Sequence, residues 1–181
     1  MKVSKETVVK HRQAILEAAG KLFRGRGFDD VTVAQVMKEA GLTHGAFYGY
    51  FSSKEALIAE AVGSALTPAP DKPRAAATAY ADSYLSCKHR DNRDTSCMFS
   101  SLGTEASRGS RELRHTMTES LRRQIERFTP EAEGASPQEK RRSAIAAWAA
   151  MVGAVVLARI ADDEKLSEEI LSATRDALPF A

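Results

Sequence analysis

The sequence predicts an all-α protein, with an N-terminal three-helix head of helix-turn-helix type followed by a longer helical body. Three observations carry that reading. No run of alternating β-branched residues is bounded by hairpin turns. Apolar residues recur at helical spacing almost from the start of the chain. Glycine, proline and short polar clusters then cut the chain into pieces of helical length.

From about Lys5 to Arg26, residues Ile15, Ala18, Ala19, Leu22 and Phe23 follow the i, i+3, i+4, i+7, i+8 pattern of an amphipathic helix. Gly25 and Gly27 end it. Thr32 is a good cap for a short helix holding Val33, Val36, Met37 and Ala40, and Gly41 closes that helix. Thr43 can cap a second short helix. Ser52 or Ser53 can cap a third, which starts at Lys54 and runs to about Leu66. The proline-rich stretch TPAPDKP, residues 67–73, reads as the joint to the body. Beyond it the pattern predicts helices at about 71–89, 98–107, 110–128, 137–160 and 163–178.

The chain has 181 residues, with 43% hydrophobic and 28% charged, which is ordinary for a globular domain and argues against disorder or a membrane protein. The longest apolar stretch, Ala144 to Ala158, falls short of the ~20 residues of a span and reads as a buried helix. The N-terminus lacks the apolar run of a signal peptide, so a cytoplasmic protein is expected. Cys87 and Cys97 form no CxxC pair, and no Cys/His cluster has zinc spacing. Two free thiols, no metal and no cofactor are expected. No GxSxG, Walker, GxGxxG or HExxH motif points to an enzyme. The net charge of +2 lies within residues 1–66, where 9 basic residues face 7 acidic ones. That imbalance is too slight to indicate nucleic acid unaided.

The stretch LTHGAFYGYFSSKEAL, residues 42–57, carries the chemistry. A short helix, a glycine turn at Gly41 and a second helix from Thr43 make a helix-turn-helix. On that second helix Phe47 and Phe51 lie one turn apart and face a core, whereas Tyr48 and Tyr50 point elsewhere. Gly45 leaves room for close approach of a phosphate or base edge. Thr32 and Thr43 place hydroxyls at helix N-termini, where amide groups attract phosphate, and Tyr48 and Lys54 add a phenol and a cation. His44 is the best base-edge reader. A plain packing unit would explain the phenylalanines but not this array of phosphate anchors.

Residues 32–57, TVAQVMKEAGLTHGAFYGYFSSKEAL, closely resemble the DNA-binding domain of the tetracycline-repressor (TetR) family, and residues 15–33 continue the resemblance. The resemblance implies an all-helical homodimer that binds a double-stranded DNA operator and answers to a small-molecule effector, without a membrane partner. It divides the chain into a DNA-binding domain at 1–52 and a ligand-binding and dimerisation domain at 53–181, joined by the helix at about 53–66. By motif position, Thr32, Thr43, Tyr48 and Lys54 match phosphate-holding residues. Ala34, Gln35, His44, Gly45 and Gly49 match positions that can face bases, and Tyr50 is included as a second tyrosine toward DNA. Gly49 and Ala34 depart from larger family side chains, so direct readout is expected to be sparse.

In the body, Tyr80, Tyr84, Cys97, Phe99, Met117, Leu121, Trp148 and Met151 are the candidate lining of an effector pocket suited to a hydrophobic or planar molecule. Ala150, Gly153, Ala154, Leu157 and Leu171 are the candidate dimer interface, because small residues let helices approach closely. The arginines at 108, 111, 114, 122 and 123 read as a solvated face. The expected function is a regulator, of repressor type, released from its operator by the effector. The alternative is an electrophile- or redox-sensing repressor acting through Cys97.

Overall fold

The computed structural model describes residues 4–67 and 75–180. Among these the elements are α1 (Lys5–Arg26), α2 (Val33–Glu39), a 3-10 helix (His44–Gly49), α3 (Lys54–Leu66), α4 (Ala77–Tyr84), α5 (Cys87–Asp91), α6 (Met98–Ser107), α7 (Arg111–Phe128), α8 (Pro137–Ile160) and α9 (Glu164–Asp176). Two shorter 3-10 turns lie at Arg93–Thr95 and Thr129–Glu131. No strand occurs among the described residues, only an isolated bridge between Ala132 and Phe180. The fold class is the all-α one the sequence predicts.

The sequence misjudges two elements. The segment expected to be one helix at 71–89 is two, because Ser86 ends the run after Tyr84 and starts a new helix. Its hydroxyl accepts the His89 amide at 3.2 Å and donates to the Ser83 carbonyl at 2.7 Å. The segment after Gly41 is a 3-10 helix rather than an α-helix. Gly45 and Gly49 weaken α propensity there, and Phe51, which follows the 3-10 helix, still stacks on Phe47. Most of the proline-rich joint, residues 68–73, and the start of the helix expected from 71 lie outside the described residues.

The chain folds into two compact units. Unit 1 comprises Met1–Pro68 with Ser101–Thr118, and unit 2 comprises Ala69–Ser100 with Glu119–Ala181. In unit 1, α1 packs against both α2 and α3. Ile15, Ala19 and Phe23 of α1 are buried, as are Val36 and Met37 of α2, Phe47, Phe51, and Leu57, Ala61 and Val62 of α3. Each large side chain of this kind contributes on the order of 1.5–3 kcal/mol by leaving water.

Unit 2 is built on α8, which packs against α9, α5 and the turn at Thr129–Glu131. Its start is well defined by sequence: Ser136 and Glu139 form a reciprocal capping box and Pro137 occupies the first turn. Ala144, Ala147, Trp148, Met151, Ala154, Val155 and Ala158 turn inward. Ala146, Ala149, Ala150, Leu157 and Ile160 form the opposite, exposed stripe. By length and composition alone α8 could cross a membrane. Its inner face instead forms the core of unit 2 with Tyr84, Leu85, Phe128 and Leu171.

A polar hub joins α5, α8 and the start of α6. His89 Nδ1 donates to the Tyr84 carbonyl at 2.6 Å, and its Nε2 accepts the Cys97 amide at 3.1 Å. That geometry requires the neutral ring. The Arg159 guanidinium donates to the Arg90, His89 and Ser100 carbonyls at 2.9, 3.2 and 3.4 Å. Burial, with Arg159 nearby, holds the His89 pKa below the usual histidine value, against the hydrogen bond to Tyr84. Because the unfolded chain binds this proton more readily than the fold does, His89 supports the fold above the ordinary histidine value. That support is lost as the pH falls through the lower folded value. Urea unfolding of the protein should therefore show a stability decline on the acid side of about pH 6.5, and His89→Gln should abolish that part of the slope.

Candidate functional site

The head presents its polar residues from two short helices and the start of α3. At the first of these, the Thr32 hydroxyl accepts the Gln35 backbone amide at 3.2 Å, and the Gln35 side-chain Oε1 accepts the Thr32 backbone amide at 2.8 Å. This capping box fixes where α2 begins. It also commits Gln35 to the helix end, with Thr32, Ala34 and Gln35 all outside the core.

The turn after α2 is a Schellman motif. The Leu42 amide reaches the Met37 carbonyl at 2.8 Å and the Gly41 amide reaches Lys38 at 3.0 Å, with Gly41 at φ +72°. Thr43 then takes the extended backbone of an N-cap, and its hydroxyl makes no capping bond within the chain. Thr43, His44, Gly45, Tyr48 and Gly49 are exposed, Tyr48 at 74%. A side chain added at Gly45 or Gly49 would meet nothing of the protein within 4 Å, so both glycines leave bare backbone facing outward.

The aromatic rings divide as follows. Phe47 and Phe51 are buried and stacked at 5.9 Å, and the Arg12 guanidinium covers Phe51 at 4.7 Å while pairing with Glu60. Tyr48 stands outward, resting edge-on against Phe47 at 5.2 Å. Tyr50 turns back toward α1, where its hydroxyl meets His11 Nδ1 at 2.8 Å. Sequence reasoning missed His11, because its partner lies 39 residues away and no local spacing links them. Lys54 is half-buried in the first turn of α3, whose amide at Ala56 is capped by Ser53 at 3.1 Å. Lys38, exposed in the last turn of α2, is a further cation on this element that the motif did not single out.

In unit 2 the structure brings together seven of the eight candidate pocket residues. Tyr84, Trp148 and Met151 are buried in the core cluster, with Tyr80, Cys97, Phe99 and Leu121 packed against it. Met117 belongs to unit 1 and is outside that cluster. Tyr80 stacks on Tyr84 at 5.7 Å, Tyr84 lies 5.4 Å from Trp148, and Phe99 meets Trp148 edge-on at 5.7 Å. Arg127 sits 4.4 Å over Tyr80. The Tyr84 hydroxyl is buried with the Cys97 thiol and the Ser100 hydroxyl beside it, neither in good hydrogen-bond geometry. Burial raises the pKa of Tyr80 and Tyr84 and of the Cys97 thiol, so all three stay protonated near neutrality. Cys87 is also a free thiol, 3.8 Å from the Glu168 carboxylate.

Of the candidate interface residues, Ala150 and Leu157 are exposed, Leu157 at 56%, and Gly153 is half-buried. Ala154 and Leu171 are already buried inside the protomer. The arginines at 108, 111, 114 and 122 to 123 are at the surface, none of them in the core.

Residues 15–61 match the family model described as bacterial regulatory proteins, tetR family. The HTH-type transcriptional regulators YdgC and YfiR of Bacillus subtilis are similar to the head, at 46% identity over 54 residues and 38% over 65. Those matches cover 30% and 36% of this chain, and only 28% and 32% of the relatives. A solved TetR-family regulator from Agrobacterium tumefaciens aligns over 95% of this chain and 99% of its own, with TM-score 0.74 and 16% identity. The reduced form of E. coli NemR aligns over 93% and 98%, with TM-score 0.66 and 21% identity. At these identities the likeness to the solved structures is one of fold, and it runs through head and body alike.

Because Gly41 has a left-handed backbone and open space around it, its replacement tests the turn alone. Gly41→Ala should destabilise the protein by about 1–2 kcal/mol, and Gly41→Asn by less. Equilibrium urea titration with an unchanged denaturant slope would show this.

Proposed function

We propose that this chain, which belongs to the tetR family of bacterial regulatory proteins, is a dimeric, ligand-responsive repressor. The observation that carries the DNA reading is the outward array of the head. Thr43, His44, Gly45, Tyr48 and Gly49 stand exposed on one short helix whose other side is locked into the core by Phe47. In this reading the Thr43 and Tyr48 hydroxyls and the Lys54 ammonium grip phosphates, with the first-turn amides of α2 and the Thr32 cap beside them. His44 is the long side chain at the base edges, assisted by Gln35 where its capping bond leaves the amide nitrogen available. Ala34, Gly45 and Gly49 allow close approach rather than donate. Tyr50 serves by orienting the helix on α1 through His11.

The exposed stripe of α8, containing Ala146, Ala149, Ala150, Leu157 and Ile160, supports dimerisation through α8 and α9. Two heads are needed to read half-sites about one DNA turn apart. Ala154 and Leu171 then support that face from within. A protein acting on bacterial DNA in this way works in the cytoplasm.

For the effector, the aromatic cluster of unit 2 supports a planar or hydrophobic molecule carrying an acceptor for the Tyr84 hydroxyl, which has no well-aligned partner in the protein. To release DNA almost completely, such an effector must favour the non-binding state by about 10⁴-fold. The Cys97 thiol, partly buried against the cluster and shifted upward in pKa by burial, supports this non-covalent reading over electrophile sensing, since the thiolate is the reactive form.

A duplex selected from random sequence should bind with steep salt dependence in fluorescence anisotropy. In the Tyr48→Phe, Lys54→Ala variant the slope of log affinity against log salt should fall by about 1 for each phosphate the head no longer neutralises. Equal, weak binding of selected and scrambled duplexes would sink the DNA reading. Trp148 is the only tryptophan in the chain, so its fluorescence reports on the cluster directly. A planar ligand that both quenches Trp148 and releases the duplex should bind at least severalfold more weakly to Tyr84→Phe, whereas release without any change in Trp148 emission would place the effector elsewhere.

A further inference from the structure

Glu105 sits on α6, yet its carboxylate is bonded to the turn that follows α1. Its Oε2 accepts the Phe28 amide at 2.6 Å. Gly27, just before, has φ +84° and no side chain, and a Cβ added there would lie 2.9 Å and 3.0 Å from the two carboxylate oxygens. The turn is thus shaped to admit a carboxylate against bare backbone. A negative charge beside a helix C-terminus opposes the helix dipole, and Arg24 and Arg26 in the last turn of α1 offset it. Burial of Phe28 and Val31 fixes the same turn from below, with Phe28 meeting Phe23 edge-on at 5.3 Å. Four residues after Phe28 stands Thr32, the cap that starts α2.

From this geometry we infer that Glu105 is a positioning residue, a latch by which α6 sets the α1–α2 turn and with it the placement of α2 for reading DNA. The inference rests on the DNA reading above. It goes beyond that reading by naming a residue outside the DNA-facing array that decides how well the array is aimed. The bond is charge-assisted and unusually direct for a contact 77 residues apart in sequence. α6 is shared by the two units, since Met98–Ser100 fall in unit 2 and Ser101–Ser107 in unit 1. Its first residues are tied by the Cys97 amide to His89 and by the Ser100 carbonyl to Arg159.

The experiment measures amide hydrogen exchange by NMR and duplex affinity by anisotropy in wild type, Glu105→Ala and Glu105→Gln. In Glu105→Ala the Phe28 amide should exchange about tenfold faster, the equivalent of one hydrogen bond to a charged group, while α8 amides keep their wild-type rates. Affinity for the duplex selected by the wild type should fall by a similar factor. Glu105→Gln keeps an acceptor at the same reach and should lie between the two. Unchanged Phe28 exchange in Glu105→Ala overturns the latch. Faster exchange with wild-type duplex affinity overturns its part in reading. Should Glu105→Ala loosen α8 as well, Glu105→Gln decides, and a Phe28 rate identical to wild type then refutes the inference. A wild type that selects no duplex defeats the DNA reading, and the exchange rates still decide whether Glu105 holds the turn.

Discussion

Two helical elements of seven and six residues cannot hold their shape in water alone, because helix nucleation is costly and each offers too few internal hydrogen bonds to offset it. The functional surface depends on how that deficit is met. One side of each element is sealed onto the rest of the head by apolar contact: Val36 and Met37 from α2, and Phe47 of the 3-10 helix with Phe51 just beyond it. The ends are closed by the Thr32–Gln35 box and the Gly41 turn. What remains facing water is then polar and small without cost to stability. That is the condition for a side chain such as Tyr48 to stand outward at all.

The same logic explains how much of the fold could be read in the sequence. Helix starts and stops were legible wherever a single local interaction sets them, as at Thr32, Gly41 and Ser53, since caps act within four residues. The division of the aromatics was legible for Phe47 and Phe51, whose spacing alone puts them together. It was not legible for Tyr50, whose direction depends on His11 across the packed interface, nor for Glu105, whose acceptor role is created by a turn 77 residues earlier. The break at Ser86 was missed because a serine inside an otherwise continuous apolar pattern reads equally well as a solvent-facing residue. Only its two hydrogen bonds identify it as a cap.

In the body, composition told which residues are apolar but not which neighbours they have. Alanine-rich α8 separates cleanly into a face carrying Trp148 and Met151 and a face carrying Ala150 and Leu157. Ala154 and Leu171 fall on the inward side of that division. An alanine stripe on either face has the same sequence signature, so only packing distinguishes the two. The polar hub of His89 and Arg159 was equally hidden. Both side chains bond chiefly to backbone carbonyls or amides, and such partners carry no residue identity that a sequence could display.

This distribution of forces also separates the head's fold from its proposed affinity. The ion pairs on its surface, Arg12 with Glu60 and Lys21 with Glu39, are solvent-exposed and screened by salt, so they contribute little to holding the head together. The apolar seam and the caps hold it instead, and neither weakens with ionic strength over the physiological range. Attraction between a head of this kind and phosphates is the opposite case, since it grows from released counterions and falls steeply as salt rises. Under the proposed reading the outward face of the head could therefore lose a bound duplex while keeping its shape, because what holds the fold and what would hold phosphates respond differently to salt.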